Sequence, residues 1–131
     1  MPLIEWDASL ETGIGMIDAQ HRILVDLINK LDASVQEGSP AKAVELVLVD
    51  LKKYTVYHFS AEETLMVRSG YAGFEAHRDQ HQEFMEEVDG FEIDSLTGAP
   101  DVAQDVLEFL KDWLTNHIRV SDKDFAAAQS A

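Results

Sequence analysis

Residues 58–81 read HFSAEETLMVRSGYAGFEAHRDQH, with His58 and Glu62 four apart at one end and His77 and His81 four apart at the other. Four residues turn an α-helix about 40° past a full turn and climb about 6 Å, so each pair lies on one helix face. Between the pairs, Gly70-Tyr71-Ala72-Gly73 carries the strongest turn signal of the stretch. The segment therefore predicts a helix that stops near Ser69 and a second that opens near Phe74. Both polar pairs fall on apolar stripes. One reads Leu48, Leu51, Thr55, His58, Glu62, Leu65, and the other Phe74, His77, His81, Phe84, Val88.

The same three-to-four spacing runs outward in both directions. It predicts helices over about 18–37, 40–69, 74–91 and 101–128. Leu24, Ile28, Leu31 and Val35 form the first stripe, with Asp18 as the expected N-cap. Pro40 suits the first turn of the second helix, whose stripe includes Val44. Phe91 closes the third stripe, and Val106, Leu110, Trp113 and Phe125 mark the fourth. Gly38-Ser39-Pro40 and the stretch from Asp94 to Pro100 read as loops, and the Ala-rich end from Phe125 to Ala131 reads as fraying. No strand alternation is sustained. The fold expected is all-α: an up-down-up-down four-helix bundle within a single 1–131 domain. Residues 1–17 form an N-terminal arm that lays Leu3, Ile4, Trp6, Leu10 and Ile14 along it.

Composition narrows the function. A chain of 131 residues with a formal charge of −15 is a poor partner for nucleic acid or an anionic membrane, since both select basic patches. There is no cysteine, hence no disulfide and no thiolate metal site. No run reaches the length of a membrane span, and the acidic start MPLIEWDASLE lacks the basic and apolar blocks of a signal peptide. A cytoplasmic monomer is the expectation.

The remaining histidines also sit on core stripes: His21 between Ile17 and Leu24, and His117 after Leu114. Each helix thus aims at least one imidazole inward, and the second also aims a carboxylate. Buried without partners, such groups are costly, so they need one another, water or a metal. A lone inward histidine is usually a hydrogen-bonded core residue. Here all 5 histidines fall on the stripes, which favours a metal site. Asp122 is the irregular member. It lies five residues after His117, about 140° off the face, and needs a wide turn, a local bulge, or a reach across to a second metal. Five imidazoles and two carboxylates exceed one tetrahedral zinc and lack the oxygen shell of calcium or magnesium. They suit two six-coordinate ions bridged by both carboxylates. Iron fits this donor set, with zinc, copper or manganese as alternatives. A shell this rich in neutral imidazole stabilises high oxidation states less well than a glutamate-rich one, which favours taking up dioxygen over cleaving it.

Trp6-Asp7, GIGMIDAQH from Gly13, HFSAEE from His58, HRDQH from His77 and WLTNHIRVSDKDF from Trp113 together resemble the hemerythrin family, in its single-domain bacteriohemerythrin form. The resemblance covers nearly the whole chain. It implies a non-haem di-iron centre with His77, His81 and His117 on one iron and His21 and His58 on the other. Glu62, Asp122 and an oxo or hydroxo group would bridge them, with no haem. It further implies reversible dioxygen binding by a carrier or store rather than an enzyme, in service of an oxygen-consuming enzyme partner. The alternatives are an oxygen or redox sensor and a di-iron enzyme of peroxidase or nitric oxide reductase type. Leu24, Phe59, Trp113, Leu114 and Ile118 resemble the family's apolar oxygen pocket, although ordinary core packing predicts the same residues. Gln20, Glu63 and Gln80 lie near the histidines in sequence, as does every backbone carbonyl, so the outer ring nitrogens stay unassigned.

Overall fold

Asp18 does not cap the first helix from outside. Its carboxylate accepts the Thr12 backbone N–H at 2.8 Å, the Thr12 hydroxyl at 2.7 Å and the Gly13 N–H at 3.1 Å. This ties the end of the arm to the first helical turn, where an acid also complements the positive helix end. Helix α1 (Gly15–Gln36) consequently starts earlier than expected, with Ile14 as its N-cap. The computed structural model of the chain describes residues 3–38, 40–98 and 101–130.

Helix α2 (Pro40–Ser69) begins at proline, whose missing N–H costs nothing in a first turn. Helix α3 (Phe74–Thr97) outruns its expected end at Phe91. Asp94, Ser95, Leu96 and Thr97, read as loop, are helical because the stop comes at Gly98. That residue takes φ 72° and donates its N–H to the carbonyls of Asp94 and Ser95. A left-handed C-cap of this kind favours glycine. Ala99 and Pro100 of that expected loop, Ser39 of the earlier one and Ala131 lie outside the described residues. The fourth rod is not one regular helix: α4 (Val102–Asn116) passes into a π turn, His117–Asp122, and then into α5 (Lys123–Ser130). Phe125 and Ala126, expected to fray, are buried.

Among the described residues there is no strand, and the rods form an up-and-down four-helix bundle. α1 packs on α2, α2 on α3, and α4 closes the ring against both α1 and α3. The arm is fastened at two points along its length. Ile4 and the Asn29 side chain exchange two hydrogen bonds of 2.9 Å, and Arg119 Nε donates to Ser9 Oγ at 2.9 Å. No described helix is long and apolar enough to cross a membrane.

The apolar interior falls into two clusters of unequal size. The larger contains Leu24, Ile28, Leu31, Leu48, Leu51, Phe84, Val88 and Leu110, and the smaller is built on Ile17, Met66 and Phe125. Each such side chain contributes roughly 1.5–3 kcal/mol by leaving water. What separates the clusters is a layer of buried polar groups.

Candidate metal centre

That layer holds His21 on α1, His58 and Glu62 on α2, His77 and His81 on α3, and His117 and Asp122 at the two ends of the π turn, all buried. The helical pairs meet because residues four apart share a face. Asp122 meets them for a different reason. In a π turn the hydrogen bond runs from i to i+5, so residues five apart stand above one another. The wide turn that the spacing demanded is the local structure found.

Each carboxylate faces two ways. Glu62 Oε1 receives His77 Nε2 in a short contact and lies 3.3 Å from His81 Nε2 and 4.0 Å from His117 Nε2. Its other oxygen, Oε2, lies 3.4 Å from His58 Nε2 and 3.8 Å from His21 Nε2. Asp122 divides likewise, with Oδ1 at 2.9 Å from His77 and 3.1 Å from His117, and Oδ2 at 2.9 Å from His21. Two overlapping donor groups result. One joins Glu62 and Asp122 to His77, His81 and His117, and the other joins the same carboxylates to His21 and His58.

Protein hydrogen bonding leaves this cluster unfinished. His21 Nε2, Glu62 Oε2 and both oxygens of Asp122 are buried, and although they face one another and the other rings at 2.9–3.8 Å, none of these contacts has hydrogen-bond geometry. Isolated polar atoms of this kind cost about 1–3 kcal/mol each, more when charged. A second conflict lies between His81 and His117, whose Nε2 atoms stand 3.2 Å apart. His81 Nδ1 donates to Glu63 Oε2 at 3.0 Å and His117 Nδ1 donates to Gln80 Oε1 at 2.8 Å. With the proton on Nδ1 of each neutral ring, two lone pairs face each other. Only a shared cation or proton relieves them. Donors bonded to one ion at about 2.1 Å and at right angles sit about 3.0 Å apart, close to the spacing present. The donor set fits a pair of cations.

The electrostatics agree. Burial opposes charge on Glu62, Asp122, His58, His77 and His117. On Glu62 the surrounding imidazoles outweigh it and hold the carboxyl well below its usual range. On Asp122, burial and the Glu62 charge are overcome by His117 and His21, and its carboxyl too is held low. The same two carboxylates overcome burial at His77, raising it to about 9, and also raise His117. At His58 burial prevails and the ring is pushed down. Two buried anions thus draw positive charge into the layer, as protons when nothing better is present.

Outer contacts fix the rings. Gln20, not its neighbour His21, serves a histidine: its Oε1 lies 2.6 Å from His58 Nδ1 across the α1–α2 seam. Gln80 likewise serves His117 rather than the adjacent His81, and also accepts Ser121 Oγ at 2.7 Å. Proximity in sequence therefore points to the wrong ring. The usable signal was that Gln20 is a polar residue in phase with Ile17, Leu24 and Ile28. Phe59 stacks on His81 at 3.8 Å and 3°, and Trp113 on His117 at 4.4 Å and 14°. Such plates lock ring orientation while excluding water.

Next to the polar layer is an apolar cavity of about 10 Å³, near the lower limit for one water-sized guest. Leu24, Phe59, Trp113 and Leu114 line it, together with Thr55 and Phe84. Leu24, Thr55, Phe84 and Leu114 are each three residues from a site histidine, so the cavity is the adjoining layer of all four rods. The Thr55 hydroxyl is turned back onto the Leu51 carbonyl at 2.8 Å, which keeps the lining apolar. Ile118 is fully buried in the same core but stands off the cavity wall.

The hemerythrin HHE cation binding domain model matches residues 12–128. The chain is 35% identical to the bacteriohemerythrin of Methylococcus capsulatus over 132 residues, covering 100% of both. It is 37% identical to a Pseudomonas aeruginosa bacteriohemerythrin over 128 residues, 98% of this chain and 82% of that protein. A crystal structure of wild-type hemerythrin superposes with a TM-score of 0.88 at 35% identity, covering 98% of this chain and 99% of the other. A leucine-to-alanine hemerythrin variant gives 0.89 at 34% identity over 100% of both chains. Likeness of this extent, on a bundle with this donor set, shows that the chain belongs to the hemerythrin HHE cation-binding family.

Proposed function

We propose that the protein binds dioxygen reversibly at a non-haem di-iron centre, as a carrier or store and not as an enzyme. In this reading His77, His81 and His117 hold one iron, and His21 and His58 hold the other. Glu62 and Asp122 would bridge them together with an oxo or hydroxo group. The single observation that carries it is the split of the carboxylates, each with one oxygen toward the three-histidine group and one toward the two-histidine group. The two-histidine group would thus offer its ion one protein donor fewer than the three-histidine group does, and so would be the side left open to a guest. A ferrous pair, when bound, supplies the two electrons that dioxygen takes up and returns.

The chain's own residues then have two tasks. Glu62 and Asp122 offset the cations' charge inside a low-dielectric core. Leu24, Phe59, Trp113 and Leu114 keep bulk water from the open side, which protects the reduced state from irreversible oxidation. Among the described residues, the buried polar side chains besides the seven proposed ligands are Gln20 and Thr55, neither of which titrates. This supports a carrier over a di-iron enzyme, which needs a proton donor or acceptor near the reacting atoms. Delivery to an oxygen-consuming enzyme is the role we infer for a carrier in a cell.

Iron content and the visible spectrum under alternating air and vacuum test this reading. Two irons per chain, with a charge-transfer band that comes with air and goes with vacuum, are expected. One iron, or a band that never reverses, contradicts it.

A further inference from the structure

The imidazoles differ in what stands behind them. His58 and His117 have the neutral amides of Gln20 and Gln80 at their Nδ1 atoms. His21 Nδ1 is buried with no hydrogen-bond partner. His81 has a carboxylate, Glu63 Oε2, at 3.0 Å. Helix geometry explains the placement: consecutive residues lie about 100° apart, so with Glu62 aimed into the core, Glu63 faces the α2–α3 seam. One side of Glu63 touches a ring only 3% exposed, while the Glu63 side chain itself is 25% exposed. It borders a surface groove of about 390 Å³ whose walls include Ser60, Arg78, Gln82 and Glu86.

We propose that Glu63 is a positioning residue that passes negative charge through the His81 ring, so that the three-histidine position favours the higher oxidation state of its metal more than the two-histidine position does. The inference rests on the dinuclear reading above. Donating Nδ1–H to an anion makes Nε2 a stronger base, and a stronger, more negative donor stabilises a trivalent ion over a divalent one. Gln20 and Gln80 accept the same hydrogen bond without the charge. The asymmetry is therefore built into the protein before any ligand arrives, and it assigns reducing power unequally to the two positions.

Glu63→Gln isolates the charge, because the amide oxygen still accepts from His81. Gln80→Glu is its converse, placing a carboxylate behind His117 on the same side. Potentiometric titration of the two-iron proteins reads both. Glu63→Gln lowers the ferric-to-ferrous ratio of one iron roughly tenfold at fixed potential, a rise of about 59 mV for one electron. Gln80→Glu shifts it the opposite way. Unchanged midpoints in both, with two irons retained, overturn the proposal. Cobalt(II) titration of the metal-free proteins is independent of iron chemistry. Glu63→Gln weakens the tighter site roughly tenfold, at unchanged metal-free melting temperature, and equal affinities overturn the proposal. A wild-type chain that fails to hold two irons sinks the di-iron reading while the cobalt arm still decides Glu63. Should Glu63→Gln fail to fold, Gln80→Glu carries the test alone.

Discussion

The rings of His77, His81 and His117 come from α3 and the π turn; two of them lie under aromatic plates, and their outer nitrogens include contacts to Glu63 and Gln80. On the opposite side, His21 and His58 come from α1 and α2, meet edge to face at 4.7 Å, and have Gln20 as their one outer partner among the described hydrogen bonds. The first side is crowded, braced and rich in donors. The second is sparse. A centre that holds metal and accepts a guest, as proposed above, would need both characters, one at each position. On the proposed di-iron reading, the shared carboxylates would let the sparse position keep its ion.

Breaking the bridge has the largest expected effect. Asp122→Ala removes the carboxylate that the π turn brings onto the face of His117, and takes away the group 2.9 Å from His21 Nε2. Iron per chain, measured by elemental analysis, falls from two to one or fewer. Retention of two irons would show that the bridge is dispensable. His21→Ala acts on the sparse side alone. One iron remains with His77, His81 and His117, and dioxygen-dependent colour is lost. If both irons go, the two positions are not the separable units described here.

What could be read from the sequence, and what could not, follows the same division. His58, Glu62, His77 and His81 were legible because a regular helix turns i and i+4 to one side. Asp122 was legible only as a conflict: the residue type fitted, but the spacing did not. Nothing in HIRVSD, with neither glycine nor proline, announces a π turn. Asp18 was misread because an acid before an apolar run serves an N-cap and a first-turn position equally well. The end of α3 was misplaced because Asp94 and Ser95 weaken a helix without stopping it, whereas Gly98 in the left-handed region does stop it. The partners of the histidine Nδ1 atoms cross between rods, so no one-dimensional spacing encodes them.

Leu114→Ala sharpens the comparison without touching a proposed ligand. It enlarges the cavity beside the polar layer and costs roughly 2 to 5 kcal/mol of stability. Both irons stay bound and the oxygenated form autoxidises faster, as followed by the decay of its visible band. An unchanged decay rate removes Leu114 from the protective role.

The smallest effect concerns protons standing in for metal. His77 rises from 6.5 to about 9 in the folded chain, with His117 shifted the same way. A raised folded value adds stability that is complete below the unfolded pKa and is lost as pH climbs through the folded one. The metal-free protein should therefore lose several degrees of melting temperature between pH 6.5 and 9. The iron-loaded protein, whose imidazoles carry metal instead, should stay flat over that window. Parallel curves would mean that these rings do not exchange protons for metal.

The most direct test of the whole account is an anomalous difference map collected at the iron edge from crystals of the iron-loaded protein. The account predicts two peaks roughly 3.5 to 4 Å apart between Glu62 and Asp122, one flanked by His77, His81 and His117 and the other by His21 and His58. A single peak, or two peaks that do not share both carboxylates, would contradict it.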